Sequence, residues 1–388
     1  MIKKMNICFI CSEYPPGPHG GVGTMTQITA RALVKKGHNV RVIGVYYSDY
    51  PALNYEEDMG VKIWRIRTSN GKFSWILGWY SQYKKIKCWV NNKEIDIIEA
   101  PDSRGWFAFW KNINIPLVLR ANGATTYFSK ILGTHVNKLT AFLEKNSYKK
   151  AFAYTSVSKF TAQKTSDTFN LNPNNYKIIY NSIENRQIIP SAKRHHHRIV
   201  FAGTLAKKKG IISLIEALIE LQKRHIPFEA YIYGKDAIDK ESGSMLALLK
   251  SKLNPAINNF VHFENHVTRE ELFDSYSKAT VAIFPSYAEA FAFAPMEAML
   301  AGCPTIYSSL GSGPELINQN IDGVLVNPDN PLEIADALEM ILNDETFAKK
   351  IGENGRKKIL ENFTIDKMVG QLETFYSETI ESYHQSGN

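Results

Sequence analysis

Glu289 and Glu297 stand eight residues apart in the segment PSYAEAFAFAPMEAMLAGCP, residues 285–304. Each carboxylate can accept hydrogen bonds from hydroxyl groups. The small side chains of Ala290, Ala292 and Ala294 leave backbone N–H groups open to a ligand. Two acids flanking an amide-lined turn suit a ligand that is both polyhydroxylated and anionic, as a nucleotide-sugar is. A carboxylate pair also serves glycoside hydrolysis. That reading is poorer here, because eight residues across a turn into a helix put Glu297 inside the same pocket rather than opposite Glu289. Glutamates at this spacing are also frequent by chance as solvated helix charge, so the surrounding sequence must decide.

Three further stretches carry groups suited to phosphate or hydroxyl recognition. In FAGTLAKKKG, residues 201–210, three lysines precede Gly210. A lysine run is usually a solvated face, but its place between a strand's carboxyl end and a helix start singles out Lys209. In Gly20-Gly21-Val22-Gly23 the glycines allow a tight turn and close approach to a helix N-terminus, where free N–H groups favour an anion. The spacing Gly21-x-Gly23 invites a dinucleotide reading with Asp49 as the ribose acid. Residues 12–19 insert a long loop where that fingerprint needs a tight turn, and Thr26 holds its third glycine position. In LVLRANGATTY, residues 117–127, Arg120 offers a cation and Asn122 an amide that bonds hydroxyls without titrating.

Strands and helices must position these groups, and they alternate along the whole chain, the pattern of α/β domains with parallel sheets. In the first half, strands are predicted at 6–11, 39–45, 62–67, 95–99, 117–120, 153–157 and 176–180. A helix at 22–36 closes on Gly37. In the second half, strands fall at 198–202, 228–233, 261–263, 280–285, 304–307 and 323–326. Helices are predicted at 211–224, 244–253, 269–277, 295–301, 314–319 and 331–342. The two glutamates thus flank a strand-to-helix turn at the carboxyl end of a parallel sheet, the usual ligand position in such domains. The polar segment 184–197, ENRQIIPSAKRHHH, has no periodicity and reads as an interdomain linker. Its three histidines lack a partner motif for a metal, and consecutive residues point apart in any regular structure.

A chain of 388 residues exceeds one ordinary core, so two domains are expected. Hydrophobic content of 44% and charged content of 22% are ordinary for a soluble globular protein. No apolar run reaches the roughly 18 residues of a membrane span. The start, MIKKMNICFICSEYPP, reads as a first buried strand rather than a signal peptide. Cys8, Cys11, Cys88 and Cys303 form no disulfide framework, and the CxxC at Cys8 and Cys11 has no second pair to complete a metal site. A cytoplasmic protein is expected. Residues 1–185 hold 25 Lys/Arg against 12 Asp/Glu, whereas 186–388 hold 21 against 26. The basic half suits an anionic surface or acceptor, and no recognised nucleic-acid module accompanies it. In FSWILGWYSQYKKIKCWV, residues 73–90, Ile76, Trp79, Tyr80, Tyr83 and Val90 recur near helical spacing among Lys84, Lys85 and Lys87. Such a helix fits an anionic membrane surface or a protein core equally.

From the strand at 280–285 through Glu289, Phe291, Glu297-Ala298-Met299, Gly302 and Pro304, the chain resembles the signature of the retaining glycosyltransferases of family 4. That family has the GT-B fold and an E-x7-E motif. The resemblance covers nearly the whole chain and is strongest over residues 198–330. It implies an α/β protein of two doubly wound Rossmann-like domains facing a central cleft. Residues 1–185 would form the acceptor side, with a C-terminal helix at about 367–388 crossing back to it, and 186–366 would bind the nucleotide-sugar donor. By the same resemblance, Glu289 holds donor-sugar hydroxyls, Glu297 holds the ribose, and Phe291, Ala292, Phe293 and Ala294 present amides to sugar and phosphate. Lys209 would hold the diphosphate within a counterpart of G-R-L-x-x-x-K-G that begins at Gly203, near the amides of Gly21 and Gly23.

Three positions depart from the family pattern: Asn122 replaces a histidine, Thr204 an arginine and Ala292 a glycine. Lys207 or Lys208 is a candidate to replace the missing arginine. Catalysis would rest on Glu289, Lys209 and Asn122, with Arg120 and Asn122 toward the acceptor. The implied reaction moves a sugar, foremost from a UDP-sugar, to a hydroxyl of a glycan or lipid-linked acceptor, with retention and without cofactor or metal. Its implied setting is bacterial surface polysaccharide synthesis at the inner face of the membrane, with peripheral association through the basic first domain. A nucleotide-sugar epimerase of GT-B fold and a nucleotide-sugar-binding partner without catalysis are the alternatives.

Overall fold

The computed structural model describes residues 3–69, 71, 74–111, 113–184, 194–239, 242–265 and 267–387. Phe73 and most of the expected linker, residues 185–193, lie outside that set. The chain divides into two compact units, Met1–Asn181 with Ile365–Asn388, and Ser182–Thr364. Arg194 and His195 are tied to the second unit: the Arg194 guanidinium donates to the Ala279 carbonyl, and the His195 N–H to that of Lys278.

The first unit opens with β1 (Asn6–Ile10), α1 (Gly21–Lys35), β2 (Asn39–Tyr47), β3 (Tyr55–Asp58) and β4 (Val61–Thr68). Next come α2 (Ser74–Asn91), β5 (Ile97–Pro101), β6 (Leu117–Ala121), α3 (Thr125–Ile131) and α4 (Lys138–Lys150). The series ends with β7 (Ala153–Ser156), α5 (Lys159–Phe169) and β8 (Tyr176–Ile178). Eight strands line up as β3-β4-β2-β1-β5-β6-β7-β8. All neighbours are parallel except β3 and β4. Ile7 of β1 stands between Val40 and Ile97. Helices cover both faces of such a sheet, so β1 is apolar after Asn6 and residues 7–10 are buried. Around it gather Trp89, Trp106, Phe107, Trp110 and Tyr148.

The second unit runs β9 (Arg198–Ala202), α6 (Ile211–Lys223), β10 (Glu229–Tyr233), α7 (Met245–Lys252), α8 (Pro255–Asn258) and β11 (Val261–Glu264). It continues with α9 (Arg269–Lys278), β12 (Val281–Phe284), α10 (Phe293–Leu300), β13 (Thr305–Ser308) and α11 (Gly313–Leu316). Then follow β14 (Val324–Val326), α12 (Pro331–Asn343) and α13 (Glu345–Asn362). Six parallel strands take the order β11-β10-β9-β12-β13-β14 over a core that includes Phe201, Leu214, Leu218, Ile283, Ile306 and Leu338. The last helix, α14 (Ile365–Gln385), belongs to the first unit. There the Tyr376 hydroxyl donates to Glu99 at 2.7 Å, and Glu373 lies 2.9 Å from the His38 ring.

Both sheets are doubly wound: the chain starts in the middle and winds outward twice. The direction reverses between β1 and β5 in one unit and between β9 and β12 in the other. The crevice beyond the carboxyl ends of the strands at such a point is where this architecture admits ligands.

Candidate functional site

In the second unit the reversal lies where the chain leaves β9 and β12. After β9, Gly203 and Leu205 still donate to the carbonyls of Tyr233 and Lys235. A short 3-10 turn at Lys207–Lys209 then delivers Gly210, in the left-handed region at φ 68°, as the N-cap of α6. A Cβ on Gly210 would lie 1.8 Å from the Pro285 carbonyl oxygen, so only glycine permits the two loops to approach this closely. The Tyr287 N–H donates to the Lys208 carbonyl at 2.8 Å and completes the stitch. The result is a direct ion pair between Lys209 and Glu289, whose side chains keep 24% and 17% of their exposure.

Glu297 has a different partner. It is buried within α10, and the Arg269 Nε donates to its carboxylate at 2.7 Å. Arg269 also lies 3.8 Å from Glu184 and opens α9, whose N-cap Thr268 and Glu271 form a reciprocal capping box. Sequence reasoning saw only a helix start at Arg269. Its partner lies 28 residues away, and no local pattern announces the pairing.

Helix α10 begins at Phe293, two residues earlier than predicted, with Ala292 as N-cap at φ −83°. Alanine adopts that extended conformation without strain, so the departure from glycine costs the backbone nothing. The N–H groups of Phe293 and Ala294, half-buried, sit in a first turn that supplies no intrahelical acceptor and favours an anion. Phe291 is buried, its ring 5.6 Å from that of Phe363. Thr204 is exposed beside Gly203. Lys207, one of the two expected stand-ins for the missing arginine, is instead paired with the buried Asp239 at 3.1 Å.

In the first unit a small pocket lies at the reversal between β1 and β5. Ile10, Val22, Thr26, Pro101, Arg120 and Asn122 are among its lining residues. Arg120 is buried: its Nη2 donates to the Ile179 carbonyl at 3.0 Å, whereas its buried Nη1 has no partner. Glu99 faces the same pocket, and burial holds its carboxyl above the usual carboxylate range against the pull of Arg120. Asn122 donates from its N–H to Asp102 at 3.0 Å and from its side chain to the Arg120 carbonyl at 3.1 Å. Asp102 is pushed up to about 7, chiefly by burial, with the Glu144 charge adding to it. Glu144 in turn accepts the N–H groups of Thr125 and Thr126.

The glycine loop departs from expectation. Helix α1 begins at Gly21, but the Gly23 N–H donates to the Glu13 carboxylate at 2.7 Å. The loop at 12–19 folds back over the helix start, and a Cβ on Gly23 would lie 2.0 Å from the Glu13 carbonyl oxygen. The chain's own carboxylate thus takes the Gly23 amide that a phosphate was expected to meet. Cys8 and Cys11 are buried thiols, pushed up to about 12 and about 11 by that burial, and neither is a thiolate at neutral pH.

Residues 183–358 match the family model described as Glycosyl transferases group 1, and residues 19–187 match Glycosyltransferase Family 4. The uncharacterized glycosyltransferase MJ1607 of Methanocaldococcus jannaschii is 27% identical over 400 residues, which take in 97% of this chain and 99% of that one. Sucrose-phosphate synthase of Thermosynechococcus elongatus superposes with a TM-score of 0.80 at 17% identity, over 98% of this chain and 100% of that one. Anabaena HepE, solved with UDP-glucose, does so at 0.74 and 17%, over 97% and 100%. Two Rossmann-like α/β domains with these likenesses define the GT-B class. The chain is a glycosyltransferase of that class, of the family 4 type.

Proposed function

We propose that this enzyme moves a sugar from a nucleoside-diphosphate donor, foremost a UDP-sugar, to a hydroxyl of a glycan or lipid-linked acceptor, with retention and without a metal ion. The observation that carries the reading is the contact between Lys209 and Glu289 where the second sheet reverses. Breaking the bond from sugar to phosphate leaves charge on the diphosphate. Lys209 and the first-turn amides of α10 supply preorganised positive ends for it. Glu289 accepts donor-sugar hydroxyls, and Glu297, oriented by its bond from Arg269, accepts those of the ribose. The acceptor oxygen bonds to the anomeric carbon on the face the phosphate leaves, and its proton passes to a phosphate oxygen. Arg120 and Asn122 hold the acceptor from the first unit. The basic first half suits an anionic acceptor such as a growing surface polysaccharide.

A thermal-shift series with UDP-, GDP-, ADP- and dTDP-sugars tests the donor. A ligand at a hundred times its Kd adds about 2.7 kcal/mol of apparent stability. Lys209→Ala and Glu289→Ala are each expected to cut transfer by about a hundredfold or more while donor binding is partly kept. NMR of the new glycosidic bond reads the anomeric outcome. Binding by the wild type without turnover across donors and acceptors would instead mark a non-catalytic partner. Interconversion of the nucleotide-sugar without an acceptor would mark an epimerase.

A further inference from the structure

Between residues 74 and 150, every exposed acidic or basic side chain among the described residues is a lysine or an arginine, apart from His135. The acids of that stretch are withdrawn. Glu94 and Asp96 pair with Arg41 and Asn6, while Glu99, Asp102 and Glu144 are buried. Two helices of the stretch repeat one arrangement. Along α2 the outward residues are Ile76, Leu77 and Tyr80, followed by Lys84 and Lys87, while Gln82, Ile86 and Trp89 face inward. Along α4 they are Lys138, Leu139, Phe142, Lys145 and Lys149, while Leu143, Ser147 and Tyr148 face inward.

Both helices rest on the segment 105–110. Trp79 meets Trp106 and Tyr83 meets Trp110, each at 5.5 Å between ring centroids, and the Phe107 N–H donates to the Ser147 hydroxyl at 3.0 Å. That shared segment carries Phe109, itself 66% exposed. The side of α2 that carries Trp79, Tyr83 and Trp89 therefore faces the core, and what remains outside is apolar as well as basic. Leu77 is 70% exposed and Phe142 56%.

A face meant only for water would not collect these side chains. A duplex nucleic acid would engage the lysines and leave Ile76, Leu77 and Leu139 unused, and a protein interface core is depleted in lysine. An anionic bilayer uses both, with lysines at the phosphates and apolar side chains at the acyl boundary. We propose that α2 and α4 dock this protein on the surface of an anionic lipid bilayer, independently of the sugar-transfer reading. No helix among the described residues is long and apolar enough to cross a membrane, so attachment is by adsorption.

Co-sedimentation of the whole chain with phosphatidylcholine vesicles, with and without phosphatidylglycerol, tests this at near-physiological salt. Partition onto the anionic vesicles is expected to exceed that onto neutral ones at least about tenfold. Lys84→Glu with Lys87→Glu should lower it about tenfold or more. Leu77→Ser with Phe142→Ser should lower it by a similar factor. All four positions are exposed, so the melting temperature should stay unchanged and report intact folding. Equal partition onto both vesicle types, absence of binding to either, or full retention by the Leu77→Ser/Phe142→Ser variant overturns the proposal. So does tighter retention of duplex DNA than of vesicles.

Discussion

Arg269 and Asp102 are the residues whose environments make the sharpest demands. Arg269 keeps a buried carboxylate compensated, so Arg269→Met leaves Glu297 with an unpaired charge. The expected cost is about 1–3 kcal/mol in chemical denaturation. Donor KM should also rise, and Arg269→Lys should recover part of both. Asp102 carries a titration with a definite sign. Its carboxyl titrates near 3.8 ordinarily but is held at about 7 in the folded chain. Between those values the folded state holds a proton that the unfolded state has released. Its contribution is therefore fully present below the ordinary value and lost as pH rises through about 7. Asp102→Asn resembles the protonated form and can still accept the Asn122 N–H. Melts from about pH 5 to about pH 8 should show the variant gaining stability relative to wild type as pH rises.

At the scale of elements, the loops after β9 and β12 are one device. Gly210→Ala meets both a left-handed backbone and the Pro285 carbonyl, whereas Gly243, at φ 73°, has open space around it. Gly243→Ala should cost about 1–2 kcal/mol from the backbone alone. Gly210→Ala should cost more than about 3 kcal/mol, because the collision adds to that strain. Denaturant titration of the two variants separates the contributions. If the two cost the same, the close approach of the loops is not what selects glycine at 210. Most strands were legible because a buried parallel strand is a short apolar run. β3 was not, since YEED is a polar edge strand held by pairing with β4 rather than by a buried face.

The whole molecule depends on a return of the chain that local patterns do not report. α14 buries Met368, Val369, Leu372, Phe375 and Tyr376 in the first unit and closes over Glu99 and His38. Each such side chain contributes about 1.5–3 kcal/mol. A chain ending at Thr364 is expected to lose the cooperative melt of the first unit while the second keeps its own, as calorimetry or limited proteolysis would read. Sequence alone determined the alternation of strands and helices, the glycine that closes α1, and the turns bearing Lys209 and Glu289. These follow from periodicity and turn chemistry within a few residues. Only the tertiary structure decided which charges meet. Lys209 reaches Glu289 across 80 residues, Arg269 takes Glu297, Lys207 turns to Asp239, and Glu13 claims the Gly23 amide. A side chain's partner is set by the order in which strands join a sheet and by how closely loops can pack, and neither is written in the neighbours of a single residue.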